Sequence, residues 1–123
     1  MNKAKLNKSN SENIGIKNVI FNCANLKRNE RVVLIYDRQT SCLVKNFAFW
    51  IKKRTNCFTA VEDRSIKMHG YEPSLRTQKF MKRCDLIFAL TSFSIAHTHA
   101  RRLSSINGAR FLSLPEYSKK ILR

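Results

Sequence analysis

Hydroxyls, imidazoles and guanidinium groups crowd into one segment of this chain, Thr91-Ser92-Phe93-Ser94-Ile95-Ala96-His97-Thr98-His99-Ala100-Arg101-Arg102, directly behind the apolar run Leu86-Ile87-Phe88-Ala89-Leu90. A continuously apolar run of this length suits a strand covered on both faces, and the abrupt change to polar residues marks its exit into a turn and a helix. With Ser94 as the helix cap, the turn offers hydroxyls and free backbone N–H groups to an anion or a carboxylate. His97, in the first helical turn, can carry a proton near neutral pH, and Arg101, one turn on, can hold a carboxylate or a phosphate. His97 and His99 stand about 200° apart on a helix, so with His69 they share a metal only if the turn is not helical.

A second acid-bearing exit follows an earlier β-branched run. Residues 31–36, Arg31-Val32-Val33-Leu34-Ile35-Tyr36, end at Asp37, which can bind a ribose, a metal or an amine, or cap the next helix. No glycine follows it in Arg38-Gln39-Thr40-Ser41, which argues against a dinucleotide fingerprint or a P-loop. Glu62 and Asp63 leave a further strand, 57–61, and His69 lies in the loop beyond.

Elements that place these residues follow from periodicity. Ile16, Val19, Ile20, Cys23 and Ala24 predict a helix over about 13–26, and Leu43, Phe47, Trp50 and Ile51 predict another over about 40–54 with Thr40 or Ser41 as its cap. Pro73 suits the first turn of a helix to about 82, and the segment 94–106 predicts one that ends at Asn107-Gly108. Residues 109–114 make a last strand stopped by Pro115, and 116–122 a short helix. Alternating strands and helices imply one Rossmann-like or flavodoxin-like three-layer α/β/α domain over 13–123, preceded by a flexible polar tail, 1–12. Its four-stranded parallel sheet takes the order 2-1-3-4. The helix at 40–54 and the first helix then share one face, and the helices at 73–82 and 94–106 share the other. In such sheets ligands bind beyond the carboxyl ends of the strands where the order reverses, here between Asp37 and the Thr91–Ser94 turn.

Composition bounds the function. The chain of 123 residues, with eight Phe, three Tyr and one Trp, suits one folded domain. It contains no apolar run of membrane-spanning length and no apolar core near its start like that of a signal peptide, so a cytoplasmic protein is expected. Cys23, Cys42, Cys57 and Cys84 lack metal or redox spacing and are expected as buried free thiols. The net charge of +16 raises nucleic acid or another acidic partner as a hypothesis. Much of the excess, however, falls in pairs such as Lys27-Arg28, Lys52-Lys53 and Lys82-Arg83 near helix ends, where positive charge complements the helix dipole. Nucleic acid is therefore not the favoured partner.

The order Asp85-Leu86-Ile87-Phe88-Ala89-Leu90-Thr91-Ser92-Phe93-Ser94-Ile95-Ala96-His97-Thr98-His99-Ala100-Arg101, then Gly108-Ala109-Arg110-Phe111-Leu112-Ser113-Leu114-Pro115, resembles the amino-terminal domain of the aminopeptidase T and 2,5-dihydroxypyridine dioxygenase family. The resemblance covers about a third of the chain. It implies a two-domain enzyme whose divalent metal is held by a carboxyl-terminal domain, which this sequence lacks. This chain would then be an accessory, substrate-cleft domain, not catalytically complete alone, that meets a metal-binding domain, a subunit or another copy of itself. The proton-transfer role of the family's His-Thr pair would fall on His97. Asp37, Thr91, Ser92, Ser94 and Arg101 are the expected substrate- or anion-binding residues, with no metal ligand among them. The alternatives are a small anion- or nucleotide-binding α/β module and a basic nucleic-acid-binding protein.

Overall fold

A computed structural model describes residues 14–114; the tail at 1–12, the stop at Pro115 and the helix at 116–122 lie outside them. Four parallel strands form one sheet in the order β2-β1-β3-β4, as the alternation requires. They are β1 (Val32–Tyr36), β2 (Phe58–Glu62), β3 (Leu86–Leu90) and β4 (Arg110–Ser113). The two continuously apolar runs take the centre, where both faces and both edges are covered, while β2 and β4 are half-exposed edges.

Side chains alternate across the sheet with period two and so divide the core. Val32, Leu34, Leu86, Phe88 and Leu90 face a first helical layer. This layer consists of α1, helical over 14–23 with a π turn at Val19–Cys23, and α2 (Val44–Ile51), entered through a 3-10 turn at Ser41–Leu43. Phe47 meets Phe88 edge-on at 5.9 Å between ring centres. Val33, Ile35, Ile87 and Ala89 face the other layer, formed by α3 (Leu75–Met81) and α4 (His99–Ile106). The predicted distribution of helices between the faces is thus the observed one.

Three local expectations are corrected. The helix at 94–106 begins only at His99, because Thr98, not Ser94, is its cap: Thr98 Oγ1 accepts the Arg101 N–H at 3.2 Å. Pro73 precedes α3 instead of opening it, and Ser74 is the cap, accepting from the Thr77 N–H. Only Cys84 is buried; Cys23, Cys42 and Cys57 are exposed free thiols. Burial pushes the Cys84 thiol up to about 11, keeping it protonated and unreactive. At the far end of α4, Gly108 takes φ +97°, the left-handed conformation expected of the Asn107-Gly108 stop.

Register decides what the sheet presents. Tyr36 is level with Glu62 on one side and with Leu90 on the other, so Asp37, Asp63 and Thr91 emerge side by side on one rim. At the other end Asp85 accepts the Arg31 N–H at 2.8 Å and pairs with its guanidinium, tying β3 to the start of β1. Arg110, at the start of β4, similarly bridges Glu30 and the carbonyls of Ala24 and Asn25.

Candidate functional site

The rim carries a cleft of about 320 Å³ at the reversal between β1 and β3, lined by Asp37, Arg38 and Gln39 after β1, by Asp63, Arg64, Ile66 and Lys67 after β2, and by Ser92 and Phe93 after β3. That is the size of a small-ligand pocket, at the position the topology dictates. Two carboxylates stand in its wall, and neither is free. Asp37 Oδ1 accepts from the N–H groups of Gln39 and Thr40 at 3.0 and 3.1 Å, and its Oδ2 accepts the Ser92 N–H at 2.7 Å. The acid therefore caps the entry to α2 and laces β1 to the turn after β3. Thr40, expected as a cap, donates its hydroxyl across the sheet to the Leu90 carbonyl at 2.6 Å instead.

Asp63 is 2% exposed. Its Oδ1 accepts from Ser65, and its Oδ2 accepts the Ser74 N–H at 2.8 Å and the Thr77 hydroxyl at 2.7 Å. Desolvation alone would raise this carboxyl, but the bonds from Ser65, Thr77 and Ser74 outweigh it and hold it below its ordinary value. Glu62 pairs with Arg64 at 3.4 Å. Arg38 and Lys67 are left as exposed cations of the cleft without a carboxylate partner among the described residues.

The hydroxyls of the turn are engaged within the protein. Thr91 is buried and donates to the Phe93 carbonyl at 2.6 Å, Ser92 Oγ donates to Gln39 Oε1 at 2.6 Å, and Ser94 Oγ accepts the Ala96 N–H. His69 does fold over the rim: its Nδ1 accepts the Ser94 N–H at 2.9 Å and its ring stands edge-on to Phe93.

Of the residues singled out in the sequence, Asp37 and Ser92 meet in the cleft wall, while Thr91 and Ser94 support the turn behind it. His97 is exposed in the turn before α4, outside the lining, so the helical face it was expected to share with Arg101 does not form. Arg101 also lies outside, with its guanidinium 5.5 Å over the Phe111 ring on β4. The free N–H groups expected at the helix start are occupied by the chain's own carboxylate: Glu72 accepts from His99 and Ala100 at 2.8 and 2.9 Å. Glu72 lies far off in sequence and left no local sign of that role. Arg38, Gln39, Arg64 and Lys67 escaped notice too, although each follows a strand exit on this rim.

No family model, curated protein or solved structure matches the chain. Among the described residues no group of three or more His, Cys, Asp or Glu side chains is placed to hold a metal ion. No helix among them is long and apolar enough to cross a membrane. The cleft thus offers two free cations, the Gln39 amide and a rigid backbone wall, a set suited to binding and orienting an anionic group.

The corrected cap is testable. Thr98→Ala is expected to lower stability by about 1–2 kcal/mol, and Ser94→Ala by about 0.5 kcal/mol, in urea unfolding. The reverse order would place the start of α4 back at Ser94.

Proposed function

We propose that this chain is a substrate-cleft domain that holds a small ligand by an anionic group, phosphate or carboxylate, and is completed by a second domain or subunit. The observation that carries this reading is the cleft at the switch point, where both wall carboxylates are internally bonded while Arg38 and Lys67 face no carboxylate among the described residues. Exposed apolar side chains in and beside the rim loops support the completing partner: Met68, Tyr71, Leu75 and Phe93 are 58, 46, 77 and 36% exposed. Such a collar suits a surface that closes over the opening. In the aminopeptidase T type of arrangement that surface belongs to the metal domain, and exposed His97 supplies its imidazole to the shared site. The compartment belonging to this reading is the cytoplasm.

Two measurements test it. In a titration with inorganic phosphate and adenosine 5′-monophosphate, amide shifts are expected around 38–39, 64–67 and 92–93, and Arg38→Ala or Lys67→Ala should weaken binding about tenfold. Absence of shifts there at millimolar ligand sinks the cleft as an anion site. The isolated chain supplied with divalent metal should show no aminopeptidase turnover, and measurable turnover would refute its dependence on a second domain.

A further inference from the structure

In an all-parallel sheet the crossover helices run against the strands, so every helix carboxyl end arrives at the edge where the strands begin. The basic pairs that sequence scatters along the chain are therefore gathered at one end of the molecule. Lys52-Lys53-Arg54 follow α2, Lys82-Arg83 follow α3, and Lys27-Arg28 precede β1. Dipole complementarity acts within the last helical turn, yet α2 has no basic residue there and carries its three cations at and beyond its cap. The acids of this edge are neutralised, Glu30 by Arg110 and Asp85 by Arg31. Arg28, Lys52, Lys82 and Arg83 face no carboxylate among the described residues.

Behind α2 these groups enclose a recess of about 220 Å³ formed by Arg28, Asn29, Thr55, Asn56 and the run Lys52-Lys53-Arg54, with no acid and no apolar side chain in its lining. Arg54 is fixed there by donating to the Leu26 carbonyl at 2.9 Å and stacking on Phe21. Asn56 also opens a second recess, about 310 Å³, that reaches across the strand starts to Arg83. Lys53 sits 4.5 Å over the ring of Phe49, which is 56% exposed at the margin. The recess behind α2, a row of donors without an aliphatic anchor, lacks the core that a protein interface needs. Successive phosphates with bases that can stack on an aromatic ring do fit it.

We propose that this edge is a second binding surface, for the backbone of a single-stranded nucleic acid, with one phosphate in the recess behind α2 and a base stacked on Phe49. It is independent of the cleft, which lies at the opposite end of the strands.

The test is anisotropy of a labelled oligothymidylate of about 12 nucleotides, long enough to cover one such site, with the full chain and increasing salt. Arg28→Gln with Lys52→Gln is expected to lower affinity about tenfold or more and to reduce the log–log salt slope by about 0.7 for each phosphate no longer neutralised. Lys45→Gln with Arg76→Gln removes the same charge from the opposite end and should change affinity less than about twofold. Phe49→Ala should cost about fivefold or more, because the base then has no ring to stack on. All five side chains are exposed, and unchanged urea midpoints confirm that the variants fold. Equal losses from both charge pairs would reduce the effect to overall charge and overturn the site, as would no binding at low salt. Competition by polyglutamate as strong as by unlabelled oligonucleotide would assign the edge to an acidic protein. Duplex binding as tight as single-strand binding, with Phe49→Ala silent, would overturn the single-strand assignment.

Discussion

Replacing Asp63 with alanine is expected to lower stability at neutral pH by about 3 kcal/mol, out of the ~5–15 kcal/mol typical of a domain. The carboxylate is buried at the end of β2 and is the common acceptor for Ser65, Ser74 and Thr77. Its removal leaves the half-buried Ser74 N–H and the buried Thr77 hydroxyl without this acceptor, and desolvated orphans cost more than the bonds themselves contributed. The damage also spreads to the site. Through Ser74 the same acid fixes the start of α3 and closes the loop that carries Lys67 and His69, so the cleft loses one wall.

Acid should narrow this difference. The folded-state value of Asp63 lies below its unfolded value of 3.8, so its contribution is complete above 3.8 and is lost as pH falls through the folded value. Wild type and Asp63→Ala should therefore differ most at neutral pH and draw closer as the medium is acidified well below 3.8. A gap that stayed constant in urea unfolding down to about pH 2 would mean that the ionised carboxylate is not what the loop requires. Asp85 and Glu30 act with the same sign. The Arg31 guanidinium holds Asp85 below its ordinary value, and the Arg110 guanidinium does so for Glu30. Unlike the buried Asp63 cluster, the Asp85–Arg31 pair is open to solvent and is weakened by salt.

Sheet order and layer assignment were legible because they rest on long-range averages. Val32–Tyr36 and Leu86–Leu90 are apolar at every position but the tyrosine, which suits the centre of a sheet, and right-handed crossovers in the order 2-1-3-4 assigned each helix to its face. Helix starts were not legible to the same degree, because acids from outside the helix hold the starts of α2, α3 and α4. Asp37 organises the entry to α2, and Glu72 binds the first N–H groups of α4 from the far side of α3. A local pattern that offers Ser94 as the cap cannot reveal that distant carboxylate. The same shift of the helix start removed His97 and Arg101 from a common face, since their four-residue spacing has meaning only inside a helix. The cleft cations escaped for another reason: Arg38 and Lys67 belong to unremarkable loop sequence, and the parallel register alone brings them together.

Asp37→Ala is the second large expected effect, about 3 kcal/mol, and Asp37→Asn should cost about half as much. Both oxygens of this acid work, but in different places. Oδ1 receives the N–H groups of Gln39 and Thr40 and holds the chain as it turns into α2, whereas Oδ2 receives only Ser92 and joins β1 to the exit of β3. An asparagine keeps an acceptor for the first set and turns an amide NH₂ toward the Ser92 N–H, so it breaks the cross-strand tie and spares the cap. Alanine loses both. Urea unfolding gives the two costs, and amide shifts give their location: Asp37→Asn should move Ser92 and Phe93 with Gln39 and Thr40 little changed, and Asp37→Ala should move all four. Full stability in both variants would mean that Asp37 is not the lace between the strands but is free to act on a ligand. The three bonds point the other way: the acid that sequence marks as a binding group is the one that holds the cleft in shape.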